Sequence, residues 1–249
     1  MSEGPPQPAH VLVVAKAPVP GLAKTRLGAE VGMPEAAALA AAALLDTLEA
    51  AEAYAGPHRC HVALAGDLAE GAETEALTTA LAGWTVRPQV DGDFDERLAA
   101  AHAAVPGPVV QVGMDTPQVT PALLAEVAAG LADHDAVLAP AADGGWWALA
   151  LRDPRDAAAL RGVPMSTADT GAATRAALEA AGLSVATAPE LVDVDEVGDA
   201  RTVAAAAPAT RFARGWRAAT GHADPSASAA ASNPTPCARH DDPAGGGAR

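Results

Sequence analysis

The 249-residue chain has 31 acidic and 16 basic residues, for a net charge of −15. This balance argues against nucleic acids and anionic membranes as partners. Half of the residues are hydrophobic, enough for a sizeable core. No signal peptide is recognisable, and acidic residues interrupt the long apolar stretch Met33–Ala51, so we expect no membrane span. The two cysteines lie far apart in the sequence, which indicates a cytoplasmic protein without a disulfide framework.

Strand and helix patterns alternate along most of the chain. The predicted strands are 11–14, 61–65, 84–87, 109–112, 136–139, 146–151 and 183–187. The predicted helices are a stretch after Arg26, then 34–54, 69–81, a segment ending near 104, 120–133, 171–181 and 197–207. Polar or low-complexity composition predicts a disordered leader at 1–9 and a disordered tail at 220–249. The alternation predicts an α/β fold, with a three-layer α/β/α arrangement around a mostly parallel sheet, as a single domain at 10–219.

The loop after the first predicted strand is the most unusual stretch of this acidic chain. Two prolines and Gly21 exclude helix or central strand at residues 17–21, and the cations Lys16, Lys24 and Arg26 surround them. Ligands of open α/β sheets bind at the carboxyl ends of the strands, and cations there suit a polyphosphate. The loop matches neither the Walker A pattern nor the GxGxxG pattern. A merely solvated loop is the alternative.

Asp115 directly follows the apolar strand at 109–112, within Gly113-Met114-Asp115-Thr116-Pro117. The end of that strand should face the same crevice as the cationic loop. Because Mg²⁺ takes one or two carboxylates together with phosphate oxygens, Asp115 is a candidate metal ligand. The alternative is that Asp115 only caps the turn that follows it.

Two further acidic segments follow predicted strands or short apolar runs. Asp193 and Asp195 are two residues apart, so in an extended segment both could point at one ion, although a solvated edge explains them equally well. Asp143-Gly144-Gly145 is a turn signal, and its glycines would let the backbone come close to a ligand.

Six segments in this order resemble one known family. They are KAPVPGLAKTRL, GDFDERL, GMDTP, PAADGGWWALAL, the Ser166-Thr167 pair and DVDE. They are similar to bacterial glycosyltransferase-A-like proteins of the DUF2064 type, often named arsenosugar-biosynthesis-type glycosyltransferases or selenodomain-associated transferases. The resemblance extends from about His10 to Ala207. Trp146-Trp147 stands where tyrosines are commoner, Met165 stands where tryptophan is usual, and a single acid, Asp115, replaces the Asp-x-Asp pattern.

The resemblance implies the nucleotide-diphospho-sugar transferase fold and a set of site residues. The implied metal ligands for Mg²⁺ or Mn²⁺ are Asp115 and Asp195, with Asp193 as the alternative second ligand. The implied phosphate-binding or nucleotide-binding residues are Lys16, Gly21, Lys24 and Arg26. Asp143, Gly144 and Gly145 would border the sugar or acceptor. Asp115 and Lys24 are the candidate catalytic residues.

Three functions remain open from the sequence. The first is glycosyl transfer from a nucleotide-diphospho-sugar to a small-molecule acceptor, with a metal ion neutralising the leaving diphosphate. The second is nucleotidyl transfer from a nucleoside triphosphate to a phosphorylated small molecule with release of pyrophosphate, which the cationic loop favours. The third is a non-catalytic nucleotide-binding protein, for which Asp115 would have no use. The fold alone does not decide between them.

Overall fold

The structure is a computed structural model that describes residues 7–221. The predicted leader and tail lie outside the described residues, apart from residues 7–9 and 220–221. A seven-stranded sheet runs through the described part with the order β3-β2-β1-β4-β6-β5-β7. Its strands are β1 (His10–Lys16), β2 (Cys60–Ala65), β3 (Thr85–Pro88), β4 (Val109–Val112), β5 (Ala136–Pro140), β6 (Trp146–Leu151) and β7 (Val185–Thr187).

All strand pairs are parallel except those of β6, which runs antiparallel to both β4 and β5. The turn between β5 and β6 is too short for a crossover connection, so the chain reverses direction there. The strand order changes direction between β1 and β4, since β2 and β3 extend to one side and β6, β5 and β7 to the other. Such a switch point is where open α/β sheets bind ligands.

Eight α-helices accompany the sheet in the described part of the chain. They are α1 (Thr25–Val31), α2 (Met33–Ala55), α3 (Thr74–Ala80), α4 (Phe94–Ala103), α5 (Pro121–Ala129), α6 (Thr170–Ala180), α7 (Val197–Ala206) and α8 (Arg211–Thr220). Short 3-10 helices lie at Pro57–Arg59, Leu68–Glu70, Gly130–Ala132 and Pro154–Leu160. None of the helices within 7–221 has both the length and the apolar character needed to cross a bilayer.

Alternate residues of β1 enter different apolar clusters, which shows that both faces of the sheet are covered. Val11 and Val13 pack with residues of α2, α3 and α5, whereas Leu12 and Val14 pack with residues of α4 and α6. A continuous apolar run is typical of a strand buried in this way. The predicted α/β fold with a mostly parallel, doubly covered sheet is therefore confirmed.

The structure differs from the predicted helices in two ways that side-chain contacts explain. The predicted helix at 69–81 is divided into a 3-10 turn and α3, because the hydroxyl of Thr74 donates to the carbonyls of Leu68 and Gly71 and closes a turn between them. The sequence analysis placed no element between 207 and the predicted tail, whereas the structure has α8 there.

The missed helix α8 depends on a distant carboxylate. Its buried residues Phe212, Ala213 and Trp216 join α2 and α7 in a third apolar cluster. The side chain of Asp46 in α2 accepts hydrogen bonds from the amides of Arg211 (3.0 Å) and Phe212 (2.9 Å), at the amino end of α8. Free amides at a helix start need such acceptors, so α8 is fixed by tertiary contacts that local composition does not reveal.

Candidate functional site

The carboxyl ends of β1, β4 and β5 border an open cleft of about 540 Å³. Lys16 ends β1, Asp115 follows β4, and Asp143 follows β5. All three line the cleft, together with Asp193. The structure therefore places the predicted cationic loop and three of the predicted acidic residues at the same edge of the sheet, at the switch point of the strand order.

The loop after β1 is held in shape by contacts with its own backbone and with β2. The Ala17 amide donates to the Ala65 carbonyl (2.8 Å), and Lys16 Nζ donates to the Leu22 carbonyl (2.7 Å). Gly21 has a φ of +77°, a left-handed conformation that glycine adopts without strain. The conformation of the turn accounts for Gly21, whose predicted part in phosphate binding stays a prediction.

Lys24 reaches from the start of α1 across to Asp115. Its Nζ lies 2.7 Å from Asp115 Oδ1 and also donates a hydrogen bond to the carbonyl of Val194. The Lys24 side chain is 10% exposed and that of Asp115 is 41% exposed. Because the Val194 amide donates to the Asp115 carbonyl (2.8 Å), the segment around residue 194 is also joined to the end of β4.

Asp193 and Asp195 point to different surroundings. Asp195 forms an ion pair with Arg26, whose side chain is 70% exposed, and neither residue lines the cleft. Asp193 does line the cleft. Burial raises the pKa of Asp193, and the negative charges of Asp143 and Asp115 raise it further, while Lys24 opposes them. The electrostatic coupling places Asp193, rather than Asp195, in the same acidic environment as Asp115.

Oxygen ligands in the cleft suit a hard divalent cation. Across residues 7–221, no three His, Cys, Asp or Glu side chains come together as a metal site built from protein ligands alone. Mg²⁺ commonly uses one or two carboxylates and completes its shell with water and phosphate oxygens. The pair Asp115 and Asp193 fits this requirement, so the residues present are compatible with the predicted Mg²⁺ or Mn²⁺.

The Asp143-Gly144-Gly145 turn is shaped by contacts within the protein. Gly144 has a φ of +90°, and a Cβ there would lie 2.0 Å from the carbonyl oxygen of Ala168. The amide of Gly145 donates to Asp143 Oδ1 (2.7 Å), which orients that carboxylate. Asp143 and Gly145 line the cleft. Gly144 is therefore required by its close packing against the segment before α6, and a role in substrate binding remains a prediction for all three residues.

Sequence analysis missed three polar residues that line the cleft: Gln89, Arg97 and Gln111. Gln111 is a polar residue inside the apolar strand β4 and its side chain hydrogen-bonds to the buried His102 (3.0 Å). Its position in an otherwise apolar strand was a detectable signal. Gln89 precedes the segment GDFDERL and Arg97 lies within it, but their proximity to the cleft depends on how β3 and α4 pack.

The sequence matches a family model over part of its length. Residues 47–167 match the family described as "Uncharacterized protein conserved in bacteria (DUF2064)". This range includes Asp115 and Asp143 but neither the cationic loop nor Asp193. None of the curated proteins matches the sequence.

Several solved structures share the fold. A candidate nucleotide-diphospho-sugar transferase from Desulfovibrio desulfuricans G20 has a TM-score of 0.70 and 25% identity, over 86% of this chain and 94% of that one. The CMP:2-keto-3-deoxy-manno-octonic acid synthetase, solved with CTP, has a TM-score of 0.53 and 14% identity, over 81% and 99%. A cytidylyltransferase from Leptospira borgpetersenii has a TM-score of 0.53 and 12% identity, over 87% and 95%.

The two structures below 25% identity are similar in fold alone, and the Desulfovibrio protein covers nearly the whole described chain. The resemblance deduced from the six sequence segments is confirmed by the family match and by this fold. Residues 47–167 of the chain thus match the DUF2064 family model, and the described structure has the nucleotide-diphospho-sugar transferase fold.

Proposed function

We propose that this protein is a metal-dependent transferase that takes its group from a nucleotide-activated donor. The most specific form of the proposal is glycosyl transfer from a nucleotide-diphospho-sugar to a small-molecule acceptor. The observation that carries it is the position of Asp115, at the switch point of the sheet and opposite the cationic loop that ends at Lys24. A purely nucleotide-binding protein has no need of a metal carboxylate at that position.

Charges of opposite sign occupy opposite sides of the cleft. Lys16 and Arg97 line it from β1 and α4, whereas Asp143 and Asp193 line it beyond β4. Asp115 lies between the two groups. We infer that the diphosphate of the donor binds at the cationic side and that the sugar and acceptor lie toward Asp143.

Asp115 and Asp193 would hold Mg²⁺ or Mn²⁺ together with the diphosphate. Bound there, the ion would neutralise negative charge on the leaving diphosphate. Lys16 would add a charge-assisted hydrogen bond to the same group, since among residues 7–221 its ammonium is bonded only to a neutral carbonyl. Lys24 would turn from Asp115 toward the phosphates, and Asp143 would stay oriented by the amide of Gly145.

The structural relatives support this class of reaction. The Desulfovibrio protein is described as a candidate nucleotide-diphospho-sugar transferase, and its overall similarity is the strongest of the three. Two other relatives are a cytidylyltransferase and a synthetase that binds CTP, and their similarity supports the nucleotide-binding fold. Nucleic acid as a partner remains unexpected because the net charge is −15.

Nucleotidyl transfer is the second candidate, and one observation favours it. Three cations lie between the end of β1 and the start of α1, which is more positive charge than a diphosphate alone requires. In this reaction a phosphorylated small molecule would attack the α-phosphorus of a nucleoside triphosphate and pyrophosphate would leave. The same cations would bind the triphosphate.

A product assay distinguishes the two reactions. The full chain would be incubated with Mn²⁺ and either nucleotide sugars or nucleoside triphosphates with sugar phosphates, and products separated by ion-exchange chromatography. Release of nucleoside diphosphate from a nucleotide sugar supports glycosyl transfer, and release of pyrophosphate supports nucleotidyl transfer. Asp115→Asn should abolish either product. The control is Asp133→Asn, which makes the same change of charge before the amino end of β5 and should leave both products unchanged. Parent activity that persists in Asp115→Asn would contradict the proposal.

A further inference from the structure

Arg97, in the first turn of α4, lines the cleft. Arg26, Arg155, Arg175 and Arg211 all form ion pairs with carboxylates, but within residues 7–221 no carboxylate forms an ion pair with Arg97. Its Nε is buried and has no hydrogen-bond partner among the described residues. The chain has 31 acidic residues, yet none of the described ones pairs with this guanidinium. Because it lines the cleft, it is available for an anionic ligand.

The guanidinium of Arg97 is held in place by two contacts. Nη1 donates to Gln89 Oε1 (2.8 Å), and the guanidinium carbon lies 5.0 Å from the ring centroid of Phe94. Both contacts are to neutral groups, so they orient the side chain without neutralising it. A fixed planar donor loses less rotamer freedom when it binds an anion than a mobile one does.

Gln89 is itself fixed to the ends of two strands. Its Nε2 donates to the carbonyls of Ala15 in β1 and Ala63 in β2, at 2.9 Å each. Ala15 immediately precedes Lys16, so this chain of hydrogen bonds connects Arg97 to the strand that presents Lys16. Both cations line the same cleft.

We propose that Arg97 is a phosphate-binding residue of the cleft and acts together with Lys16. This extends the predicted phosphate site, which consisted of Lys16, Gly21, Lys24 and Arg26, to a residue of α4 on the same side of the cleft. Planar guanidinium groups bind phosphate oxygens through two parallel hydrogen bonds, and Arg97 lines the cleft with its charge unpaired among the described residues. The inference rests on the proposed function, which supplies a phosphorylated donor or acceptor.

The test measures phosphate affinity directly by calorimetric titration with Mn²⁺ present. The probes are inorganic pyrophosphate, CTP, glucose 1-phosphate and the unphosphorylated nucleoside cytidine. The variants are Arg97→Met and Arg97→Lys. The matched control is Arg87→Met, because Arg87 is an exposed cation of β3 that lines a neighbouring cavity of about 290 Å³ and not the cleft.

Arg97→Met should weaken pyrophosphate and CTP binding about tenfold or more, the loss expected for a charge-assisted hydrogen bond. The affinity of Arg97→Lys should lie between those of the parent and Arg97→Met. The affinity of Arg87→Met should stay within about threefold of that of the parent. Cytidine should bind all of the proteins equally. A loss with pyrophosphate and CTP assigns Arg97 to the donor, and a loss with glucose 1-phosphate alone assigns it to a phosphorylated acceptor.

Equal affinity of parent and Arg97→Met for every phosphate probe would overturn the inference, as would a parent that binds none of them. If Arg97→Met does not fold, Arg97→Lys decides, because unchanged affinity in that variant is equally contrary to it. Parent protein that binds pyrophosphate through Arg97 but no nucleotide would leave the inference intact and contradict the proposed function. Nucleotide binding by the parent, with no phosphate probe affected by Arg97→Met, would contradict the inference and leave the proposed function intact.

Discussion

Lys24 Nζ lies 2.7 Å from Asp115 Oδ1, so the ammonium occupies the carboxylate oxygen that a divalent cation would also bind. The two cations would therefore compete for Asp115. A diphosphate would remove the competition, since its oxygens would offer Lys24 an alternative partner. Metal and nucleotide binding should consequently be cooperative, each strengthening the other by the same factor.

Replacing Lys24 with Met should tighten the binding of Mn²⁺ alone and weaken the binding of nucleotide. The ion pair is partly exposed at Asp115, so we expect a gain of about three- to tenfold in Mn²⁺ affinity, equivalent to roughly 1 kcal/mol. Electron paramagnetic resonance of free Mn²⁺ measures the change. Lys16→Met is the control, because Lys16 Nζ is bonded to the Leu22 carbonyl and not to Asp115. Unchanged Mn²⁺ affinity in Lys24→Met would show that the ion pair does not limit metal binding.

Asp193→Asn and Asp195→Asn should differ in their effect on metal-dependent nucleotide binding. Asp193 lines the cleft, whereas Asp195 is paired with Arg26 outside it. We expect Asp193→Asn to weaken Mn²⁺-dependent nucleotide binding by about tenfold or more, and Asp195→Asn by less than about threefold. Titration calorimetry with and without Mn²⁺ separates the cases. A larger loss in Asp195→Asn would favour Asp195, the second ligand that the family resemblance implies.

The sequence alone was sufficient for the parts of the fold that depend on local patterns. The apolar runs of β4 and β6 coincide with their predicted bounds, and Thr120 caps α5 as its position before Pro121 indicated, accepting a hydrogen bond from the Leu123 amide. Asp115 was identifiable because it follows a buried strand. In each case the information lies within a few neighbouring residues.

The remaining features depend on contacts between distant parts of the chain. The choice between Asp193 and Asp195 follows from Arg26 and from the backbone bond between Val194 and Asp115. The two-residue spacing of Asp193 and Asp195 cannot show which of them faces the cleft, because the segment is not a regular strand. Arg97 likewise reaches the cleft only through Gln89, which bridges β1 and β2.

Stability should decrease in acid because buried histidines stay neutral in the folded protein. Burial lowers the pKa of His102 from 6.5 to about 4, although its hydrogen bond with Gln111 opposes the shift. Burial also lowers the pKa of His61 to about 4, with smaller effects from His10 and Arg87. Between pH 6.5 and 4 the unfolded chain binds more protons at these sites, so folded-state stability is full above that window and declines as pH falls through it.

At pH 5 we expect His102 alone to lower the free energy of unfolding by roughly 2 kcal/mol relative to pH 7. Urea titrations at both values measure the difference. His102→Gln should reduce the pH dependence by about this amount, whereas His58→Gln, at an exposed position, should leave it unchanged. An identical pH dependence in parent and His102→Gln would contradict the explanation.

Asp46→Ala should destabilise the protein by detaching the start of α8. Its carboxylate accepts hydrogen bonds from two amides of α8 and pairs with Arg211, and its side chain is largely buried. We expect a loss of roughly 1–3 kcal/mol in the free energy of unfolding. Glu49→Ala removes the exposed partner of the same arginine and should cost less than about 1 kcal/mol. Equal losses in the two variants, measured by urea unfolding, would mean that Asp46 does not fix α8.

The most direct measurement is the metal dependence of nucleotide affinity in the parent and in Asp115→Asn. Titration calorimetry would use CTP and a nucleotide-diphospho-sugar, each with Mn²⁺ and with a chelator, and Asp133→Asn as the control. We predict that Mn²⁺ strengthens binding by about tenfold or more in the parent and in Asp133→Asn, and that this gain disappears in Asp115→Asn while its melting temperature is retained. An equal Mn²⁺-dependent gain in Asp115→Asn would contradict the assignment of Asp115, and no nucleotide binding by the parent would contradict the proposed function.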